Sequence, residues 1–177
     1  MTVYGGDIIY ASDLNGIEDR LPVTYVKTTT KAVTSSTTLA DDNELINIPL
    51  GIGTFTVELI LYLTFAAASV GIKTRWAFSG TWNGASAFRS CFGPGSTNTS
   101  TSNTAVTPST ISAFTLDSQD AIYSAGNISA YTTAREYAAN VVVTVAGNLK
   151  LTWAQNASSA SAVNVRQNSQ FTVTQLA

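Results

Sequence analysis

The sequence predicts an all-β protein, an antiparallel β-sandwich or jelly roll. Three observations predict it. The second half alternates apolar and polar residues almost to its end: Leu149-Lys150-Leu151-Thr152-Trp153, a small-polar turn, then Phe171-Thr172-Val173-Thr174. Charged residues are only 11% of the chain against 45% hydrophobic, and Ser, Thr and Asn stand where charge is missing. Thr fits a pleated, half-buried surface and Ser and Asn fit turns, which is what many short antiparallel strands need. Strand-like runs and turn clusters also recur at the spacing of a sandwich or jelly roll. At 177 residues the chain can bury one domain with a short appended segment.

Residues 1–22 form that segment, irregular and closed by Pro22. Within it Ser12 is a candidate N-cap for one or two helical turns, with Leu14, Ile17 and Leu21 on one face at i, i+3 and i+7. Gly16 weakens this helix, and a helix so short needs a surface to lie on. Residues 23–177 form the sandwich domain. Tyr25-Val26-Lys27 and Leu45-Ile46-Asn47-Ile48-Pro49-Leu50 read as strands, with Asp41-Asp42-Asn43 marking a turn. From Val57 to Phe65 every odd position is apolar, while the even positions mix Glu58, Ile60, Tyr62 and Thr64. One face is therefore core and the other half covered, as by a neighbouring subunit.

After the small residues Ala66 to Ser69, Ile72, Trp76 and Phe78 point one way and Lys73 and Arg75 the other, so the two runs are expected to pair as a hairpin. Gly93 to Thr110 is a low-complexity loop. Farther on, Tyr137, Ala139, Val141, Val143 and Val145 are expected on one face, and Glu136, Ala138, Asn140, Val142 and Thr144 on the other. Gly147-Asn148 then makes a tight turn.

Composition also bears on chemistry. The chain has no histidine and one cysteine, which excludes Ser-His-Asp and Cys-His nucleophiles, the usual zinc site, redox cysteine pairs and iron–sulfur clusters. Its glycines build no phosphate-binding loop. No catalytic residue, cofactor or metal site is expected, and the chain is read as not an enzyme. The nine Lys and Arg are scattered and the formal charge is −2, so no nucleic-acid partner is expected.

No signal peptide is visible in the acidic first twenty residues, and Val57 to Ile72 is too short and carries Glu58, so no membrane span is expected either. Cys91, beside Phe92, is read as a small buried hydrophobe. Paired carboxylates suffice for glycoside hydrolysis, but Asp41-Asp42-Asn43-Glu44 and Asp117-Ser118-Gln119-Asp120 look like turns in which the acids serve the backbone. Trp76 and Trp153 fall on apolar strand faces and are core. Trp82, ahead of Asn83-Gly84, is the candidate glycan contact, an indole placed to stack on a sugar; the alternative is an aromatic capping the core edge or an intersubunit seam.

Three stretches carry a resemblance. The chain opens with Gly6-Asp7-Ile8-Ile9-Tyr10-Ala11-Ser12-Asp13-Leu14-Asn15. Lys27 through Leu63 contains Ser35-Ser36-Thr37-Thr38-Leu39-Ala40-Asp41-Asp42-Asn43-Glu44-Leu45 and a strand at Thr54 to Leu61. Leu151-Thr152-Trp153-Ala154-Gln155-Asn156-Ala157-Ser158-Ser159 precedes Val165-Arg166 and a final strand. Taken together these resemble the small virion-surface proteins of tailed phages, particularly those of actinobacteria: capsid decoration proteins, head fibres and minor tail proteins. The resemblance implies a jelly-roll or tumour-necrosis-factor-like sandwich, usually a homotrimer, fixed to the virion by its N-terminal segment. Members commonly end in basic residues, whereas this chain ends Val173-Thr174-Gln175-Leu176-Ala177.

The expected role is thus a structural one at the capsid or tail surface of a virion. Ile8, Ile9, Leu14, Ile17 and Leu21 supply the anchoring contacts, and the partners are other copies of the chain and a major capsid or tail protein. The alternative is a carbohydrate- or receptor-binding module of a phage tail, touching a host surface glycan near Trp82 and the Gly93–Thr110 loop.

Overall fold

Alternation becomes strand along most of the chain. The computed structural model describes residues 21–67, 70–84, 87–94, 112–124 and 131–176. The segment expected to anchor the protein therefore lies outside the described residues, apart from Leu21 and Pro22. Among the described residues there is no helix. Four short strands come first: β1 (Val23–Val26), β2 (Lys31–Val33), β3 (Ala40–Asp41) and β4 (Ile48–Leu50). The long β5 (Gly53–Phe65) is followed by β6 (Gly71–Phe78), β7 (Thr81–Trp82), β8 (Phe88–Phe92), β9 (Ser112–Thr115) and β10 (Ala121–Ser124). Then come β11 (Thr132–Val145), β12 (Gly147–Gln155), β13 (Val163–Val165) and β14 (Gln170–Gln175).

They form two antiparallel sheets, a larger one ordered β1-β14-β5-β11-β8-β9 and a smaller one ordered β10-β6-β12-β3, with β4 also on β12. Four pairings nest inside one another: β1 with β14, β3 and β4 with β12, β5 with β11, β6 with β10. The chain thus folds like one long hairpin whose paired strands are wrapped across the two sheets of a β-sandwich. The β8–β9 pair extends the free edge of β11, while β2, β13 and β7 are short additions to the larger sheet.

The core lies between the sheets. β5 buries Phe55, Val57, Leu59, Leu61, Leu63 and Phe65, its odd positions, against Ile72, Trp76, Leu149, Leu151 and Trp153 of the smaller sheet. Each such side chain removed from water contributes about 1.5–3 kcal/mol before chain entropy is counted. Trp76 meets Phe171 of β14 edge-to-face across the sandwich, ring centroids 5.4 Å apart, a geometry adding about 0.5–1.5 kcal/mol.

Three expectations about connectivity are corrected. β5 and β6 are not a hairpin: β5 pairs β11, β13 and β14, and β6 pairs β10 and β12. The residues between them carry the chain from one sheet to the other, so both strands bury one face in the same core without touching edges. The same holds at Gly147, where β11 in the larger sheet passes directly into β12 in the smaller. Finally, the faces of β11 switch midway. Ala134, Glu136 and Ala138 are buried, then the register shifts between Ala138 and Val141, Asn140 takes a φ of 55°, and Val141 and Val143 are buried. Tyr137 consequently faces outward, and Val145 is exposed where a second irregularity ends the strand. A β-bulge inserts one residue and inverts the alternation beyond it.

Candidate functional site

Register fixes what the outer face of the larger sheet presents. One row runs Val26, Gln170, Ile60, Arg135, Phe92, and the next runs Thr24, Thr172, Glu58, Tyr137, Ser90. Tyr62 and Val142 extend the same face at the two ends of β5 and β11. Val26, Tyr62, Tyr137 and Val142 are exposed, and Ile60 and Phe92 are half-buried. The charges in these rows are Glu58 and Arg135, which pair with each other. This face thus interleaves apolar and aromatic side chains with Thr, Ser and Gln, and the charges in its rows neutralise each other.

The inner side carries two buried ion pairs. Arg89 of β8 and Glu136 of β11 are fully buried, with Arg89 Nη1 2.6 Å from Glu136 Oε2. Arg89 Nη2 donates to the carbonyls of Thr74 and Gln119 at 3.0 and 2.7 Å, and the Tyr123 hydroxyl donates to Glu136 Oε1 at 2.9 Å. The Thr74 hydroxyl donates to the same oxygen, so β6, β8, β10 and β11 are tied to one carboxylate. Removing one partner of such a pair leaves a buried charge and costs about 3–5 kcal/mol. Beside it, burial and then the Glu136 charge push the Cys91 thiol up to about 12, so Cys91 stays a neutral, inert thiol. The same two causes raise Tyr123 well above its ordinary value.

The second pair joins Lys27 and Asp42, 2.8 Å apart with both side chains buried. Asp42 also accepts from the amides of Glu44 and Leu45 at 3.0 and 3.1 Å and from the Trp153 indole at 3.0 Å. Next to it Glu44 accepts from the hydroxyls and amides of Thr28 and Thr29. Asp42 and Glu44 therefore serve the backbone where the chain bends after β3, as their residue types suggest, while Asp41 ends β3 itself. The remaining described carboxylates are engaged too: Asp41 with Lys150, Asp117 with Trp82, Asp120 with Arg75 and Lys73. Among the described residues no three of His, Cys, Asp and Glu stand together to hold a metal ion, and no helix is long and apolar enough to cross a membrane.

Trp82 lies at the edge of the core. Phe78 stacks on one face of its indole at 4.9 Å, and its Nε1 donates to Asp117 Oδ2 at 2.9 Å. Gly84 packs beneath both: a Cβ there would stand 2.5 Å from the indole nitrogen and 2.6 Å from the carboxylate. The indole is half-buried, with one face and its nitrogen already used. Of the residues expected to anchor the protein, Ile8, Ile9, Leu14 and Ile17 lie outside the described residues, and Leu21 is exposed just before β1.

No protein-family model and no curated protein matches this chain.

One surface site was not anticipated. Tyr62, Tyr131, Arg166, Gln167 and Asn168 surround a depression of about 320 Å³ at one end of the larger sheet. The Arg166 guanidinium lies 4.3 Å from the centre of the Tyr131 ring. These residues are scattered over a hundred positions, and only strand pairing brings them together. The one sequence signal was Arg166 itself, a cation directly after the apolar Val165 of a short strand.

Proposed function

We propose that the protein is a structural component of a phage particle: a β-sandwich oligomer at the capsid or tail surface, attached through residues 1–21. The observation that carries this reading is the outer face of the larger sheet. Its exposed Val26, Tyr137 and Val142 and half-buried Ile60 and Phe92, set among uncharged polar residues with Glu58 and Arg135 neutralising each other, match the depleted charge and aromatic enrichment of subunit interfaces. A homotrimer seals three such faces together. Low overall charge, the nested strand pairing of the β-sandwich and the engagement of every described carboxylate support a structural rather than catalytic role. The partners in this reading are two further copies and a major capsid or tail protein.

A trimer also presents three anchors. Ile8, Ile9, Leu14, Ile17 and Leu21 each offer little apolar area, but avidity multiplies a weak contact by about 10²–10⁴. Deleting residues 1–21 therefore leaves a folded oligomer that no longer joins particles, because every strand among the described residues lies at Val23 or beyond. Mass spectrometry of purified particles reads this out; truncated chain on particles at the full-length level would rule out the anchor.

A further inference from the structure

The depression at the end of the larger sheet has the construction of a ligand site. β13 and β14 pair with the same strand at successive positions, Val165 with Leu63 and Gln170 with Ile60, so residues 166–169 turn over Tyr62. That turn is held from several sides. The Arg166 amide donates to the Tyr62 carbonyl at 2.9 Å, and the Tyr62 amide donates to the Ser169 hydroxyl at 3.0 Å. The Asn168 amide donates to the Lys27 carbonyl and the Lys27 amide to the Ser169 carbonyl, at 2.7 and 2.8 Å. Lys27 is itself fixed by its buried pair with Asp42. Asn168 takes a left-handed φ of 70°, which Asn tolerates better than most residues. The turn backbone is thus pre-organised, which lowers the entropy cost of binding.

Its side chains are free by comparison. Tyr131 is 70% exposed, Tyr62 38%, and Gln167 and Asn168 are exposed. Lys27, Lys73, Arg75, Arg89, Arg135 and Lys150 all lie within ion-pair distance of a carboxylate and Lys31 donates to the Asp41 carbonyl, whereas Arg166 meets no carboxylate among the described residues. Arg166 lies over the Tyr131 ring, which supplies no hydrogen-bond partner to its N–H groups, and a guanidinium fork suits a carboxylate through two parallel N–H bonds. Among the described residues no acidic side chain lines the depression to oppose that anion. Two tyrosines supply flat surfaces with polar tips, and two carboxamides both donate and accept, as ring hydroxyls require. The volume is at the small end of ligand pockets, enough for one or two sugar rings.

We propose that this depression binds a carboxylated sugar, a uronic or sialic acid unit of a glycan. Arg166 holds the carboxylate, Tyr62 and Tyr131 pack against the ring, and Gln167 and Asn168 take its hydroxyls. The site lies within one chain, at the Tyr62 end of β5, beyond the central rows through Ile60 and Glu58 that the proposed oligomer covers; it is also distinct from Trp82.

The test is calorimetric titration of the full chain with trigalacturonate and sialyllactose, each against its uncharged counterpart, the methyl ester and lactose. At least one acidic sugar binds, its counterpart binds more weakly, and added salt weakens the acidic sugar. Arg166→Gln, with an unchanged melting temperature, lowers affinity about 10- to 100-fold, the loss of a charged hydrogen-bonding pair. Gln167→Ala, an exposed substitution, lowers it less, and Trp82→Phe leaves it unchanged. Equal binding of acidic and uncharged sugars, parental affinity in Arg166→Gln, or no binding of either acidic sugar at millimolar concentration overturns the proposal. So does inorganic phosphate competing as well as the sugar, since the tyrosines and amides would then play no part.

Discussion

Asp42 and Glu44 stand two residues apart and are held ionised by different means. Burial pushes Asp42 upward, but the Lys27 ammonium, the amides of Glu44 and Leu45 and the Trp153 indole outweigh it, and its carboxyl lies below the ordinary value. The hydroxyls of Thr28 and Thr29, then their amides, draw Glu44 from 4.5 down to about 2. Both groups are more acidic folded than unfolded, so at low pH the unfolded chain binds protons first. The stability they contribute is complete above about pH 4.5 and is lost as pH falls toward 2. The urea midpoint is therefore level from neutral pH down to about 5 and then declines, and Glu44→Gln flattens part of that decline. A midpoint of the parent protein constant down to pH 2 would contradict the hydrogen bonding at this turn. The turn itself was legible, because Asp and Asn in a row serve the backbone. The burial of Lys27 was not: local sequence shows a strand end, and only the Asp42 side chain arriving from another loop explains an ammonium with no exposure.

Gly80 and Gly147 mark where the two sheets exchange strands. A Cβ on Gly147 would stand 2.2 Å from the Gly80 amide nitrogen and 2.6 Å from its Cα; one on Gly80 would stand 2.2 Å from the Val145 carbonyl oxygen. The passage from β6 to β7 lies directly against the passage from β11 to β12, backbone on backbone. Gly147→Ala must push these apart, and overpacking of this kind costs about 1–3 kcal/mol, a fall of roughly 2–12 °C in Tm for a domain of this size. Gly51→Ala, with nothing within 4 Å of its Cβ, leaves Tm unchanged and serves as the control. Equal melting of both variants with the parent would contradict the close approach.

The same crossings explain where strand reading from the sequence fails. Alternation tells which side of a strand is dry, and it placed the buried side of β5 and β6 correctly. It does not tell which strand lies alongside, since two strands facing each other across a core have the same pattern as two strands in a hairpin. The bulge in β11 escaped for a related reason. Ala138, Ala139 and Asn140 fit either face by size, so the pattern reads through unbroken while the backbone inserts a residue.

For the molecule as a whole, the low charge of the sequence acquires a place in the structure. On the outer side of the larger sheet Val26, Ile60, Phe92, Tyr137 and Val142 face away from the core around a neutralised pair, Glu58 with Arg135. The half-covered even positions of β5 foreshadowed this face, but its width depends on β14, β11 and β8 lying in register beside β5, which no local pattern specifies. The depression around Arg166 was illegible for the same reason: its residues meet through the pairing of β5 with β13, β14 and β11.

The central claim is that this face is covered by copies of the same chain. Light scattering from the purified full-length protein tests it most directly. The account predicts a particle of three times 18.6 kDa that dissociates when Tyr137→Glu places a charge in the middle of the face. A monomer of 18.6 kDa at concentrations where the protein is folded and soluble would contradict it.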